Sequence, residues 1–112
     1  MLAGMLASPA LAFGSQANSA VTVGIIGTGG RGRYDGRYFS QDARAKIDAL
    51  CDLYPDQIDK AKTQIPSAND AKVFTDYHEL LESPGIDAVV ITAPVYLHPE
   101  MFEAAVAAKK HI

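Results

Sequence analysis

The β-branched run Val21-Thr22-Val23-Gly24-Ile25-Ile26 passes without a break into Gly27-Thr28-Gly29-Gly30-Arg31-Gly32, and a second apolar run ends in Asp52, twenty residues after Gly32. A continuously apolar strand needs cover on both faces, which a parallel sheet flanked by helices supplies. Each glycine of the G-x-G-x-x-G spacing has a steric task. Gly27 suits a tight turn, Gly29 allows a ligand to approach the backbone, and Gly32 allows the next helix to pack closely on the strand. The start of that helix offers unpaired N–H groups and the positive end of its dipole, which suit a diphosphate. The hexapeptide alone is weak evidence. The strand before it, the helix after it and the acidic strand end are the context it requires.

The rest of the chain alternates in the same way. The pattern predicts a helix over residues 31–40 and a strand over 46–51. Pro55 opens a helix with Ile58, Ala61 and Ile65 on one face, and residues 66–70 break it. A short strand over 73–75 follows. Asp76 and Glu79, at capping-box spacing, open a short helix bearing Leu80 and Leu81, which Ser83-Pro84-Gly85 stops. The most apolar strand covers 86–92, and a last helix runs from Pro99 to Lys110 with Met101, Ala105 and Ala108 on one side. Such alternation implies an α/β fold, a doubly wound parallel sheet of the Rossmann type in the strand order 3-2-1-4. His111-Ile112 reads as the first step of a fifth strand, so the sheet is expected to be incomplete and to leave an edge open to self-association into a homo-oligomer.

Ten basic and thirteen acidic residues give a net charge of −3, which offers no electrostatic case for nucleic acid or an anionic membrane as partner. The single cysteine, Cys51, excludes an internal disulfide and a cysteine-based metal site; it is expected to fill the core at a strand end. No charged residue precedes Arg31. Residues 2–13 form an apolar run closing on Ala10-Leu11-Ala12, too short for a span of about 20 residues. It reads as a signal-peptide remnant without its basic start, or as a plain apolar tail, and residues 15–20 as a linker. The division is therefore 1–20, remnant and linker, and 21–112, nucleotide-binding domain.

Asp52 stands where it can accept hydrogen bonds from the adenosine ribose. A 2′-phosphate about 4 Å away would be repelled by a few kcal/mol at an effective dielectric of about 20, which favours NAD over NADP. Arg31 dissents, since a nearby guanidinium can accommodate that phosphate. Thr92-Ala93-Pro94-Val95-Tyr96-Leu97-His98 lies at the carboxyl end of the fourth strand, the switch point where such sheets bind ligands. His98, at the next helix's start, reads as a helix-terminus hydrogen-bonder before a catalyst, and His78 as a surface residue.

The residues from Val23 to Gly32, Ala49-Leu50-Cys51-Asp52, and Ile86-Asp87-Ala88-Val89-Val90-Ile91-Thr92 leading to Pro94 and His98 resemble the glucose-fructose oxidoreductase and inositol dehydrogenase family (Gfo/Idh/MocA). The resemblance begins at Val21 and continues to Ile112. It implies an NAD-dependent oxidoreductase that contacts its cofactor through Gly27, Thr28, Gly29, Gly30, Arg31, Gly32, Asp52, Ala93, Pro94, Val95 and His98. It implies hydride transfer between nicotinamide and a sugar- or cyclitol-like hydroxyl in a longer parent. The substrate domain and a Glu-Lys-Pro motif, whose lysine serves proton transfer, would lie beyond Ile112, leaving no catalytic residue within the chain. Two alternatives stay open: a redox-assisted glycosidase with tightly bound NAD, and a nucleotide-binding module without catalysis. The family usually has Thr-Pro-Asn where this chain has Ala93-Pro94-Val95. Members with the Gly-Gly-Arg-Gly turn often carry twin-arginine signals, which implies a periplasmic or exported protein, otherwise a cytoplasmic one.

Overall fold

The structure, a computed structural model, describes residues 20–112. The export-signal expectation falls on residues 2–13 and lies outside them, as does nearly all of the linker. Four parallel strands, β1 (Val21–Ile26), β2 (Ala45–Cys51), β3 (Lys72–Phe74) and β4 (Ala88–Ile91), form one sheet in the order β3-β2-β1-β4. The helices are α1 (Gly30–Ser40), α2 (Pro55–Gln64), α3 (Tyr77–Leu81) and α4 (His98–Ala107). Short 3₁₀ turns at Pro66–Ala68 and Val95–Leu97 complete the described residues. The expected doubly wound order is the observed one.

The apolar strands divide their side chains between two cores. Val23, Ile25, Ile47 and Leu50 pack with Ile58, Ala61 and Ile65 on one face. Ile26, Ala49, Cys51 and Val89 pack with Leu80, Leu81, Met101 and Ala105 on the other. Burying an Ile or Leu side chain contributes about 1.5–3 kcal/mol, so both layers hold the sheet. The pairing of β1 with β2 carries a bulge: Val23 faces Ile47 but Gly24 faces Ala49, which passes over Asp48. Half-buried Asp48 lies 3.7 Å from Lys46 in the middle of this core strand.

α1 reaches the sheet through glycines. A Cβ on Gly36 would stand 2.6 Å from Ile65 Cδ1 and 2.9 Å from Ile25 Cδ1, while Tyr34, Tyr38 and Phe39 are exposed. Several boundaries differ from expectation. β3 begins at Lys72 and ends at Phe74 because it pairs only with Ala49, Leu50 and Cys51. β4 is shorter than 86–92, pairing in register with β1 only over Ala88–Ile91; at its flanks the Asp87 and Thr92 N–H groups still bond the Thr22 and Ile26 carbonyls, and the Asp87 carboxylate takes the Thr22 N–H at 2.9 Å. The cap of α3 forms one position early, with Asp76 accepting from the His78 N–H at 2.9 Å. The Glu79 N–H goes to the Asp76 carbonyl at 3.1 Å. His111 makes the expected start of a fifth strand, bridging Ala88 and accepting from the Val89 N–H at 2.8 Å.

α4 stops three residues before the expected Lys110. Its end is a Schellman motif: the Lys110 N–H bonds the Ala105 carbonyl at 3.0 Å and the Lys109 N–H bonds that of Val106 at 2.9 Å. Lys109 therefore sits at φ 62°, where a side chain costs about 1–2 kcal/mol. Glycine there loses more chain entropy but no steric energy. Lys109→Gly is expected to stabilise the chain by about 0.5–1 kcal/mol, read as a higher midpoint in urea at unchanged slope.

Candidate functional site

The site lies at the carboxyl ends of β1, β2 and β4. Gly27 has φ 95°, and a Cβ on it would stand 2.5 Å from the Ala93 nitrogen. The turn is pinned on both sides. The Gly27 N–H bonds the Cys51 carbonyl at 2.8 Å, and the Thr92 N–H bonds that of Ile26 at 2.8 Å. A Cβ on Gly32 would run into the Gly27 carbonyl and stand 2.9 Å from Thr92 Oγ1. That hydroxyl donates to the Gly27 carbonyl at 2.6 Å. Gly27 and Gly32 thus have the roles expected from their spacing.

Gly29 and Gly30 are different: a Cβ on either meets nothing within 4 Å. Gly29 is the N-cap of α1, with no side chain to cap the helix, and no acidic residue stands in the first turn. The first N–H groups of a helix have no partner within it, so this end stays available to an anion. The cleft beside it is walled by Gly27, Gly29 and Gly30 of the turn, Asp52 and Tyr54 after β2, and Thr92, Ala93, Pro94 and Val95 after β4. Arg33 and Gln57 close it from α1 and α2. A second, more apolar hollow adjoins it, lined by Cys51, Leu53, Tyr77, Tyr96, Leu97 and Met101 among others. Burial, more than the neighbouring Asp52, Asp76 and Glu79 carboxylates, pushes the Cys51 thiol up to about 12, so it is an inert core group there.

The Asp52 carboxylate is held by the chain itself. Oδ2 accepts from the Thr28 N–H at 2.8 Å and the Thr28 hydroxyl at 3.1 Å, and Oδ1 accepts from the Tyr54 N–H at 3.0 Å. Each oxygen has more than one acceptor position, so Asp52 can still receive ribose hydroxyls at the cleft.

Of the residues expected at the site, the structure brings Gly27, Gly29, Gly30, Asp52, Ala93, Pro94 and Val95 to one cleft. Thr28 and Gly32 stand behind it, both buried. Arg31 points to solvent and pairs with Asp35 at 3.1 Å. His98 donates from Nε2 to the Ala93 carbonyl at 2.6 Å and lines a separate groove with Tyr34, Phe102 and Ile112. It is the helix-start hydrogen-bonder that its position suggested. Four cleft residues went unread: Arg33, Tyr54, Gln57 and Thr92. Only Thr92, placed within the switch-point segment, had a signal in the sequence.

An open helix N-terminus, two glycines without neighbours and a carboxylate across the cleft define a dinucleotide-binding α/β domain, and these residues fit NAD. The sequence model described as "Oxidoreductase family, NAD-binding Rossmann fold" (GFO_IDH_MocA) matches residues 21–112. The chain belongs to this family, the Gfo/Idh/MocA oxidoreductases, and NAD is its cofactor. It is 36% identical over 91 residues to an inositol 2-dehydrogenase of Agrobacterium fabrum, covering 80% of this chain and 26% of that protein. It is 33% identical over 103 residues to a glycosyl hydrolase family 109 protein of Solibacter usitatus, covering 85% and 24%. The crystal structure of scyllo-inositol dehydrogenase from Lactobacillus casei with bound NAD(H) and scyllo-inositol superposes with a TM-score of 0.73 at 28% identity, over 83% of this chain and 27% of that one. The chain thus spans about a quarter of the length of the relatives it matches.

The two kinds of glycine separate folding from binding. Gly29→Val is expected to keep the mixed α/β circular dichroism spectrum and lose NAD binding, because the added atoms occupy only the cleft. Gly32→Ala is expected to lower the melting temperature outright, since its Cβ meets backbone. A Gly29→Val variant that binds NAD as well as the parent would reduce the glycines to a turn.

Proposed function

We propose that this chain is the nucleotide-binding part of an NAD-dependent dehydrogenase acting on a hydroxyl of a sugar, polyol or cyclitol. The cleft carries this reading: an anion-ready helix start faces a fixed carboxylate that suits an unphosphorylated ribose. The inositol dehydrogenases among its relatives support the substrate class. Bound NAD would accept or supply the hydride. The chain's own residues bind and orient it: Gly29, Gly30 and the start of α1 receive the diphosphate, Asp52 the adenosine ribose, and the apolar hollow beside Cys51 and Met101 the adenine. Neither candidate acid or base nearby is free for substrate chemistry: His98 is committed to the Ala93 carbonyl, and Asp52 is held by Thr28 and Tyr54 toward the ribose. Substrate placement and proton transfer then belong to other parts of a longer protein, and the open sheet edge supports self-association into a homo-oligomer. The apolar residues 2–13, with their small-residue site, support export.

The test is absorbance of reduced nicotinamide, followed with polyols, aldoses and inositols. Residues 1–112 alone are expected to show no turnover, because ordering of reacting groups can supply about 7–11 kcal/mol of a barrier and is missing here. A parent extended through a second domain is expected to reduce NAD. Sugar release without net NADH would favour the redox-assisted glycosidase. Robust turnover by residues 1–112 would overturn the proposal.

Cofactor choice follows from Asp52. Asp52→Asn removes the charge but keeps an acceptor for Thr28, and is expected to cut the preference for NAD over NADP by about tenfold or more. Calorimetric titration with both dinucleotides measures it, and an unchanged ratio would show that the carboxylate does not select.

A further inference from the structure

Arg33 does more at this site than the Arg31 of the motif. It is half-buried, its Nη1 donates to the Thr28 carbonyl at 2.9 Å and to Gln57 Oε1 at 2.6 Å, and its Nε donates to Gln64 Oε1 at 2.9 Å. Thr28 is the second residue of the glycine turn and has no exposed surface. Its remaining polar groups, the N–H and the hydroxyl, both go to Asp52. A cation thus holds its acceptor and an anion its donors. Gln57 and Gln64 lie at opposite ends of α2, so the guanidinium ties the turn to the length of that helix. A rigid planar fork can meet three acceptors at fixed angles; a lysine ammonium is a single point on a flexible stem.

We propose that Arg33 is a positioning residue for the dinucleotide. By clamping the Thr28 carbonyl to α2, it holds the open glycines Gly29 and Gly30, and Asp52 across from them, at one spacing. The proposal rests on the NAD reading. Its physical basis is preorganisation: a turn already ordered before binding spares the cofactor that entropy. The clamp belongs to the cleft and not to a remote brace, since Arg33 and Gln57 are themselves walls of it. All three bonds start from a charged donor, the stronger kind of hydrogen bond.

Calorimetric titrations of the parent chain, Arg33→Lys, Gln57→Leu and Ile58→Val with NAD and NADP test this, each paired with a thermal melt. Arg33→Lys is expected to weaken both dinucleotides by about tenfold or more, with their ratio unchanged. Gln57→Leu, the milder change, is expected to weaken both several-fold. Ile58→Val trims the core beside the clamp and is expected to lower the melting temperature while leaving both affinities unchanged. Undiminished affinity in Arg33→Lys would overturn the clamp. So would a loss confined to NADP, which would make Arg33 a direct phosphate contact, or an affinity loss in Ile58→Val matching that of Arg33→Lys at equal destabilisation. A parent chain that takes neither dinucleotide would overturn the NAD reading and the clamp with it, so the first titration separates the two failures.

Discussion

The carbonyl of Gly27 is the point at which three parts of the sheet's active edge meet. Gly32 lies against it so closely that no side chain fits, and the Thr92 hydroxyl donates to it at 2.6 Å. It thereby joins the end of β1, the first turn of α1 and the end of β4. The backbone can present that oxygen only because Gly27 adopts φ 95°, and the neighbouring Ala93 backbone leaves no room for a Cβ in any case. Once this contact is made, the start of α1 has a fixed position, and Gly29 and Gly30 remain the only unobstructed part of the turn.

Much of this was legible because it depends on spacing. The interval from Gly27 to Gly32, and that from Gly32 to Asp52, are properties of the chain before it folds, and the glycine turn and Asp52 do meet at one cleft. The strand order followed from alternation of apolar runs with helical stretches. Boundaries were less legible because partners, not propensity, set them. Phe74 ends β3 where Cys51 ends its neighbour, and nothing local in Val73-Phe74-Thr75 tells which residue that is. The end of α4 was misplaced because a lysine occupies a left-handed position that sequence rules reserve for glycine.

The hydrogen-bonding side chains around the turn were the least legible part. Arg33 resembles any arginine on an exposed helix, and neither Gln57 nor Gln64 has a pattern of its own. Their importance arises only when α1 and α2 lie side by side, a tertiary fact with no signature in either helix. The same holds for Asp52. Its place at a strand end could be read, but not that Thr28 and Tyr54 hold both of its oxygens before any ligand arrives. His98 is the reverse case: a residue type rich in chemistry, placed at a ligand-binding switch point, that serves to fasten the loop through Ala93.

The bulge at Asp48 reaches further than the one residue it accommodates. A β-strand is a two-stroke sequence, and an extra residue inverts the parity of everything after it. Ile47 faces the first core; by simple alternation Ala49 and Cys51 would do the same, yet both face the second. Leu50 returns to the first core, and Asp52, next in the new count, comes out on the side of α1 and α2, where Thr28 waits for it. In the opposite parity the carboxylate would have been aimed at the far layer, away from the glycine turn. One unpaired residue in mid-strand therefore acts as a phase shifter, and the carboxylate of Asp52 is delivered to the face of the glycine turn by an irregularity four residues upstream.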